Sequence, residues 1–129
     1  MATVLIVDDD EDVRLFLGIT LKTAGFTIVE AADGREAVDA IVSREPDVVI
    51  LDIMMPGVDG WSALAEVRQA GIDPSVIVMT AKADIETRDR AQQLGVEGFV
   101  TKPFPPGEML ERVEDVLRPA RNPLGIRLG

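Results

Sequence analysis

The chain has 129 residues, of which 47% are hydrophobic and 28% charged, and this length and composition are typical of one soluble globular domain. It has neither Cys nor His, which excludes disulfides, thiolate zinc sites, Ser-His-Asp or Cys-His catalysis, and a histidine phosphate carrier within the chain. A net charge of −10 disfavours direct binding of nucleic acid, because neutralising phosphates requires Lys and Arg.

The composition also limits the metal chemistry and the location. Any metal site must use oxygen ligands, which suit Mg²⁺, Mn²⁺ or Ca²⁺. No stretch reaches the roughly 18 apolar residues of a membrane span. The N-terminal "MATVLIVDDD" lacks the basic region and cleavage site of a signal peptide, so we expect a cytoplasmic protein.

Short apolar runs alternate along the chain with segments of helical spacing. The apolar runs predict strands at residues 3–7, 26–30, 47–51, 75–79 and 97–101. The other segments predict helices at residues 11–24, 33–46, 60–71, 84–94 and 105–119. This alternation predicts an α/β fold with a doubly wound parallel sheet. Residues 120–129 are expected to be a flexible tail or a truncated linker.

The helices are predicted to face the core with apolar stripes. These are Val13, Leu17, Ile19 and Leu21 in the first helix, Ala37, Val38, Ile41 and Val42 in the second, and Leu110, Val113, Val116 and Leu117 in the fifth. Asp33 and Asp59 are predicted caps of the second and third helices. The fourth helix is poor in apolar residues, so we expect it to be loosely attached.

Polar residues follow four of the predicted strands. They are Asp8, Asp9 and Asp10 after the first strand, Asp52 after the third, Thr80 after the fourth and Lys102 after the fifth. The carboxyl ends of parallel strands share one edge, and ligands bind there at the point where the strand order reverses. The residues leave the strand order open. If it is 2-1-3-4-5, then Asp8, Asp9 and Asp52 lie in one pocket.

Such a pocket suits a divalent cation and a phosphoryl group. Two carboxylates about 4 Å apart repel by roughly 4 kcal/mol at an effective dielectric near 20, and bound Mg²⁺ relieves this repulsion. A metal and Lys102 would neutralise a phosphoryl group, Thr80 would orient it, and a carboxylate would attack it. Simpler interpretations stay open for each residue alone: helix capping, chiefly by Asp10, a turn at Asp52, a structural Thr80 and a solvated Lys102.

Four ordered motifs resemble the receiver domain of bacterial two-component response regulators. They are "VLIVDDD", "VVILDIMMPGVDG", "VIVMTA" and "GFVTKPF", and the resemblance covers roughly residues 3–118. It implies a receiver domain over residues 1–119, with five helices around a five-stranded sheet in the flavodoxin-like, CheY-like order 2-1-3-4-5.

The resemblance implies a phosphoacceptor site that binds Mg²⁺. Asp52 is implied as the phosphoacceptor. Asp9 and Asp52 are implied as direct Mg²⁺ ligands, together with the backbone carbonyl of Met54, while Asp8 is implied to act through water. Because the side chain of Met54 is large and apolar, we hypothesise that it hinders water and gives a long-lived aspartyl phosphate.

The resemblance also implies a signalling switch. A partner histidine kinase, a histidine phosphotransfer protein or a small acyl phosphate would donate the phosphoryl group to Asp52. Thr80 and Lys102 would turn toward this group, and Phe99 would rotate inward. The surface of the fourth helix, fifth strand and fifth helix would then change and control a partner or an output domain. The only reactions implied are self-directed phosphotransfer and dephosphorylation, so the chain is not expected to be an enzyme.

One branch of the family, attached to winged-helix DNA-binding domains, dimerises through ion pairs on this surface. Arg88 and Glu108 match one such pair, whereas Arg112 matches half of another pair whose acidic position holds Gly98. Homodimerisation on phosphorylation therefore stays an open expectation.

Other classes of protein fit the residues less well. A haloacid-dehalogenase-type phosphatase needs a second Asp where this chain has Met54, and a flavodoxin-like cofactor binder needs a phosphate loop where Asp8–Asp10 would repel phosphate. The remaining alternative is a receiver-fold interaction module that is not phosphorylated. The sequence names neither the cognate kinase nor the output, and does not decide between a stand-alone receiver and part of a larger regulator.

Overall fold

A computed structural model of the protein describes residues 2–82 and 84–118, with only the backbone of Pro106. The strands are β1 (Thr3–Val7), β2 (Thr27–Ala31), β3 (Val48–Asp52), β4 (Val76–Thr80) and β5 (Gly98–Thr101). The helices are α1 (Glu11–Thr23), α2 (Gly34–Arg44), α3 (Gly60–Gln69), α4 (Ile85–Gln93) and α5 (Pro106–Leu117). This order confirms the predicted alternation. The predicted tail, 120–129, lies outside the described residues.

The five strands form one parallel sheet in the order β2-β1-β3-β4-β5. This confirms both the doubly wound α/β fold and the strand order implied by the resemblance. β1 and β3 are neighbours at the point where the order reverses, with Val7 opposite Leu51. The loops that follow these two strands therefore leave the same edge of the sheet side by side.

Apolar side chains cover both faces of the sheet. Along β1, Leu5 and Val7 belong to one buried layer, and Val4 and Ile6 to the other. The first layer is completed by α2, α3 and Ala91 of α4, and the second by α1 and α5. Every residue of β3 and β4 is buried, since strands of a parallel sheet are covered on both sides.

The helix ends confirm the predicted caps. Side-chain oxygens of Asp10, Asp33 and Asp59 accept backbone N–H groups at the starts of α1, α2 and α3, at 2.8–2.9 Å. The α4 helix buries Ala91 alone among its described residues, which agrees with the expected loose attachment. None of the helices within residues 2–82 and 84–118 has the length and apolar character that crossing a bilayer requires.

The predicted apolar stripes were wrong at two positions. Ile19 is 59% exposed and Val42 is 54% exposed. Ile19 lies two residues after buried Leu17, which turns it by about 200° to the outer side of α1. In α5, the predicted stripe omitted Met109, which is fully buried.

Strand bounds also differ from prediction by one residue. The second, third and fourth strands begin and end one residue later than predicted, and β5 begins at Gly98. Asp52 and Thr80 are consequently the last residues of β3 and β4 rather than the first loop residues. Their backbones are therefore held by the sheet while their side chains reach its edge.

Candidate functional site

Asp8 is fixed at the end of β1 by bonds to its backbone and its carboxylate. Asp8 is fully buried, and its backbone amide donates to the carbonyl of Ala31 at 3.1 Å. Its Oδ1 accepts the amide of Asp10 at 2.9 Å, while Asp10 itself caps α1. The cap and the strand thus hold a tight turn that leaves the Asp9 side chain exposed at the edge.

Asp52 is held at the neighbouring strand end. It is 3% exposed, and its Oδ1 accepts the amide of Met54 at 2.9 Å. Gly60 lies directly against its backbone, because a Cβ built on Gly60 would stand 2.6 Å from the Asp52 carbonyl oxygen. This close approach was missed by sequence reasoning. The only sequence signal was a Gly immediately after the capping Asp59.

The three carboxylates meet as predicted. One oxygen from each of Asp8, Asp9 and Asp52 lies within 4.8 Å of the others. In an octahedral Mg²⁺ site with bonds of about 2.1 Å, ligand oxygens are separated by about 3 to 4.2 Å. The maximum spread of 4.8 Å is therefore close to the separations that this ion requires. Oxygen-only ligands are also the set that Mg²⁺ prefers, so the residues fit this ion.

Lys102 bridges two of these carboxylates. Its Nζ donates to Asp8 Oδ2 at 2.7 Å and to Asp52 Oδ2 at 3.2 Å, so the shorter contact is with Asp8. Its backbone amide donates to the carbonyl of Thr80 at 2.8 Å, which ties the loop after β5 to the end of β4. The Lys102–Pro103 peptide is cis, as the resemblance implied.

Burial is the largest single influence on the pKa values of Asp52 and Lys102. It is the main cause that raises the pKa of Asp52, and the charge of Asp8 adds to it, while the Met54 amide and Lys102 oppose the rise. Burial lowers the pKa of Lys102, but the hydrogen bond to Asp8 and the two carboxylate charges outweigh it, and that pKa rises. Lys102 therefore stays charged, and Asp52 is an unusually basic carboxylate.

The remaining predicted residues lie around this centre. Thr80 is fully buried, and its hydroxyl accepts the amide of Lys82 at 3.0 Å. Phe99 is half-buried on β5, with the guanidinium of Arg88 4.7 Å from its ring centre. The side chain of Met54 is 56% exposed. The structure thus brings Asp8, Asp9, Asp52 and Lys102 together, and places Thr80 on the next strand of the same edge.

Fold and site together define a flavodoxin-like α/β domain with an acidic site at its topological switch point. Residues 4–114 match the family model described as response regulator receiver domain. Because this match covers most of the chain, the chain belongs to the response regulator receiver domain family. Members of this family are signalling domains of two-component systems, and switching by phosphorylation is their general function.

Individual proteins agree with this assignment. The probable transcriptional regulator ycf27 of Guillardia theta is 43% identical over 115 residues, which are 89% of this chain and 45% of that protein. The response regulator MprA of Mycolicibacterium vanbaalenii is 39% identical over 115 residues, which are 89% and 50% of the two. The chemotaxis protein CheY4 of Vibrio cholerae has a TM-score of 0.84 at 33% identity, over 91% of this chain and 99% of that one. This chain spans about half the length of the curated relatives it matches.

Proposed function

We propose that Asp52 accepts a phosphoryl group from the phosphohistidine of a partner histidine kinase or histidine phosphotransfer protein. The observation that carries this proposal is the meeting of three carboxylates at one sheet edge, with Lys102 bridging Asp8 and Asp52. Membership of the receiver family supports it, since phosphorylation is the general signal of that family.

In the transfer, an oxygen of Asp52 attacks phosphorus and forms the new O–P bond. The N–P bond of the donor breaks, and its imidazole leaves with the bonding electron pair. These 129 residues contain no His, so the donor imidazole lies outside them. Burial favours the attack, because it leaves the carboxylate oxygen poorly solvated and raises the pKa of Asp52.

Asp9, Asp52 and the Met54 carbonyl would hold Mg²⁺ directly, with Asp8 acting through water. The ion, when bound, neutralises charge on the phosphoryl oxygens. The hydrogen bond from the Met54 amide to Asp52 supports this set, because it fixes the start of the loop that carries the Met54 carbonyl. The capped turn at Asp10 fixes Asp8 and Asp9 in the same way.

Lys102 and Thr80 would stabilise the phosphorylated state. The new group carries about −1.5 to −2 charges, and each charge-assisted hydrogen bond to it is worth about 1.5–3 kcal/mol. Moving a two-state switch from about 1% to about 99% active needs about 5.5 kcal/mol. Two such bonds therefore supply much of the switching free energy. Accepting the Lys82 amide does not use the O–H of Thr80, which would donate to the phosphoryl group once the side chain turns toward it.

The surface of α4, β5 and α5 is the proposed output surface. The weak attachment of α4 to the rest of the domain supports this proposal. Among its described residues α4 buries Ala91 alone, and two of its arginines contact aromatic rings of neighbouring elements. Arg88 lies over Phe99, and Arg90 lies over Trp61 at 5.1 Å. An inward rotation of Phe99 would break the first contact. The surface would then act on a partner protein or an output domain.

Homodimerisation through this surface is part of the proposal. Arg88 and Glu108 would form one pair across the dimer. Arg112 already contacts Asp115 of its own helix at 3.4 Å, and Gly98 offers it no carboxylate. Light scattering before and after phosphorylation tests this, since a mass that stays monomeric would exclude the dimer.

The outer face of α1 is proposed as the docking surface for the histidine-containing donor. Leu15, Phe16 and Ile19 are exposed there. Phe16 also lines a cleft of about 420 Å³ together with Val13, Ala81, Lys102, Pro103 and Phe104, so the apolar face continues to the site lysine. Ile19→Glu should slow transfer from a phosphorylated histidine kinase and leave labelling by acetyl phosphate unchanged. Equal effects on both donors would exclude this docking surface.

Labelling with acetyl phosphate tests the phosphoacceptor directly. With Mg²⁺, the protein should gain about 80 Da by mass spectrometry, the mass of one phosphoryl group. EDTA or Asp52→Ala should abolish the gain, while Asp39→Ala, which removes an exposed carboxylate from α2, should not. No gain, or a gain that persists in Asp52→Ala, would refute the proposal and favour an unphosphorylated interaction module.

We further propose that the receiver extends to residue 119, that 120–129 is a tail or linker, and that the protein acts in the cytoplasm.

A further inference from the structure

Arg14 on α1 contacts the backbone beside the acidic site. Its NH1 nitrogen donates to the carbonyl oxygen of Asp8 at 2.6 Å, and its Nε donates to Oε1 of Glu30 at 3.1 Å. Its side chain is 15% exposed, so the guanidinium is largely enclosed. We call this set, the Arg14 side chain with Glu30 and the Asp8 carbonyl, the Arg14 clamp.

The clamp acts on the peptide that joins two of the acidic residues. The Asp8 carbonyl belongs to the Asp8–Asp9 peptide, so the orientation of this peptide decides where the Asp9 carboxylate lies relative to that of Asp8. The Asp8 amide is held by β2, and its carboxylate is held by Lys102 and by the Asp10 amide, which closes the turn. None of these bonds is made to the Asp8 carbonyl. Arg14 adds a bond to that carbonyl, so it constrains the same peptide at a second atom.

Glu30 orients the guanidinium for this contact. Arg presents its donors in a rigid planar fork, whereas Lys offers one flexible ammonium. With Nε held by Glu30 near the end of β2, NH1 is aimed at the Asp8 carbonyl. Because Glu30 is on β2 and Arg14 is in the first turns of α1, the clamp connects the Asp8–Asp9 turn to two rigid elements.

We propose that the Arg14 clamp is a positioning device, in addition to the capped turn at Asp10, for the cation-binding carboxylates Asp8 and Asp9. This inference rests on the proposed function, in that it assumes these carboxylates bind Mg²⁺. Partners that orient metal ligands in proteins typically change metal affinity by about 10- to 100-fold when they are removed. Arg14→Met should therefore weaken Mg²⁺ binding by at least about tenfold.

The direction of the change in Mg²⁺ affinity distinguishes a positioning role of Arg14 from a purely electrostatic one. Arg14 is a cation close to a cation site, so loss of its charge alone would strengthen Mg²⁺ binding. Weaker binding in Arg14→Met therefore reports lost geometry. Arg35→Met is the control for charge, because it also removes one positive charge and one Arg–Glu ion pair, the one with Glu66 between α2 and α3.

The experiment is calorimetric titration of Mg²⁺ into the metal-free 129-residue protein, with urea unfolding in EDTA as a parallel measure of stability. Arg14→Met should raise the Kd for Mg²⁺ at least about tenfold, and Arg35→Met should leave it near the wild-type value. A role confined to folding would lower the urea midpoint of Arg14→Met without changing its Kd, and this result would overturn the inference.

Arg14→Lys keeps the charge and decides the question if Arg14→Met does not fold. An ammonium can reach the Asp8 carbonyl or Glu30 but cannot hold both in a fixed plane, so we expect an intermediate loss of affinity. Wild-type affinity in Arg14→Lys, with Arg14→Met unfolded, would overturn the clamp. Failure of the proposed function is distinguishable, because in that case the wild-type protein itself would show no saturable Mg²⁺ binding that Asp52→Ala removes.

Discussion

Replacing Gly60 with Ala should destabilise the fold, although Ala is the better helix former. A Cβ at this position would lie 2.6 Å from the carbonyl oxygen of Asp52 and 2.8 Å from the Cα of Ile53. Ordinary contacts begin at 3.4 Å, so the start of α3 and the end of β3 would have to separate by about 0.8 Å. Both contacted atoms belong to the backbone, and no side-chain rotation can relieve the overlap.

Two opposing terms set the size of the effect. Overpacking a close contact costs about 1–3 kcal/mol, whereas Gly to Ala in a helix gains at most about 1 kcal/mol. We expect a net loss of about 1–2 kcal/mol, which lowers Tm by about 4–8 °C for a domain of this size. Because Asp52 itself must move, labelling by acetyl phosphate should also slow.

Urea unfolding followed by far-UV circular dichroism measures this loss without relying on Trp61, which adjoins the substitution. Gly107→Ala is the matched control. Gly107 is exposed in α5, and apart from its chain neighbours and the adjoining helix backbone no described atom lies within 4 Å of a Cβ built there. It should gain about 0.4–1 kcal/mol from the same chemical change.

The reasoning fails if Gly60→Ala and Gly107→Ala shift the urea midpoint in the same direction. Equal gains would mean that α3 can move away from β3 at no cost, and that the close approach at Gly60 is incidental. A loss of stability with an unchanged labelling rate would refute only the link to Asp52.

Two further predictions concern Asp52 and its neighbour Met54. Met54→Asn should speed loss of phosphate about tenfold, which corresponds to a barrier lower by about 1.4 kcal/mol, because a carboxamide can hold the attacking water and a thioether cannot. Decay of the roughly 80 Da adduct measures this rate. Unchanged or slower decay would contradict the prediction. Asp52→Asn should raise the free energy of unfolding at pH 7 in EDTA. The pKa of Asp52 is raised in the folded state, mainly by burial, so ionisation above the ordinary Asp pKa of about 3.9 destabilises the fold. The gain should shrink as pH falls toward that value, and a gain independent of pH would show that the charge is not its cause.

The architecture could be predicted because it follows from order along the chain, whereas the meeting of the site residues also required the strand order that the resemblance implies. Apolar runs of strand length separated by helical segments leave few arrangements other than a doubly wound sheet. In such a sheet, polar residues that follow the strands share an edge, and the implied strand order 2-1-3-4-5 then places Asp8, Asp52 and Lys102 together without any distance being known.

Details that depend on side-chain direction or on distance could not be predicted in this way. A stripe on a helix is at least about 100° wide, so residues at its margin such as Val42 cannot be assigned to the core from spacing. The need for Gly at positions 34 and 60 comes from backbone segments that approach across the fold, Val58 against Gly34 and Asp52 against Gly60. The contact of Arg14 with a backbone carbonyl has no sequence signature, because any residue at position 8 would offer the same oxygen.

The charges around Asp52 explain why the site should bind a cation before it switches. Asp8, Asp9 and Asp52 bring three negative charges to one edge and Lys102 returns one positive charge, which leaves an excess that one Mg²⁺ balances. The proposed phosphorylation would replace the single charge of Asp52 by about −1.5 to −2, and Lys102 is a cation already in contact with that residue. Since the shorter contact of Lys102 is with Asp8, at 2.7 Å against 3.2 Å, a turn toward the phosphoryl group would weaken its contact with Asp8. The loosened contact with Asp8 would offset part of the free energy gained from the new Lys102 and Thr80 bonds, and the proposed Arg14 clamp would keep Asp8 in place.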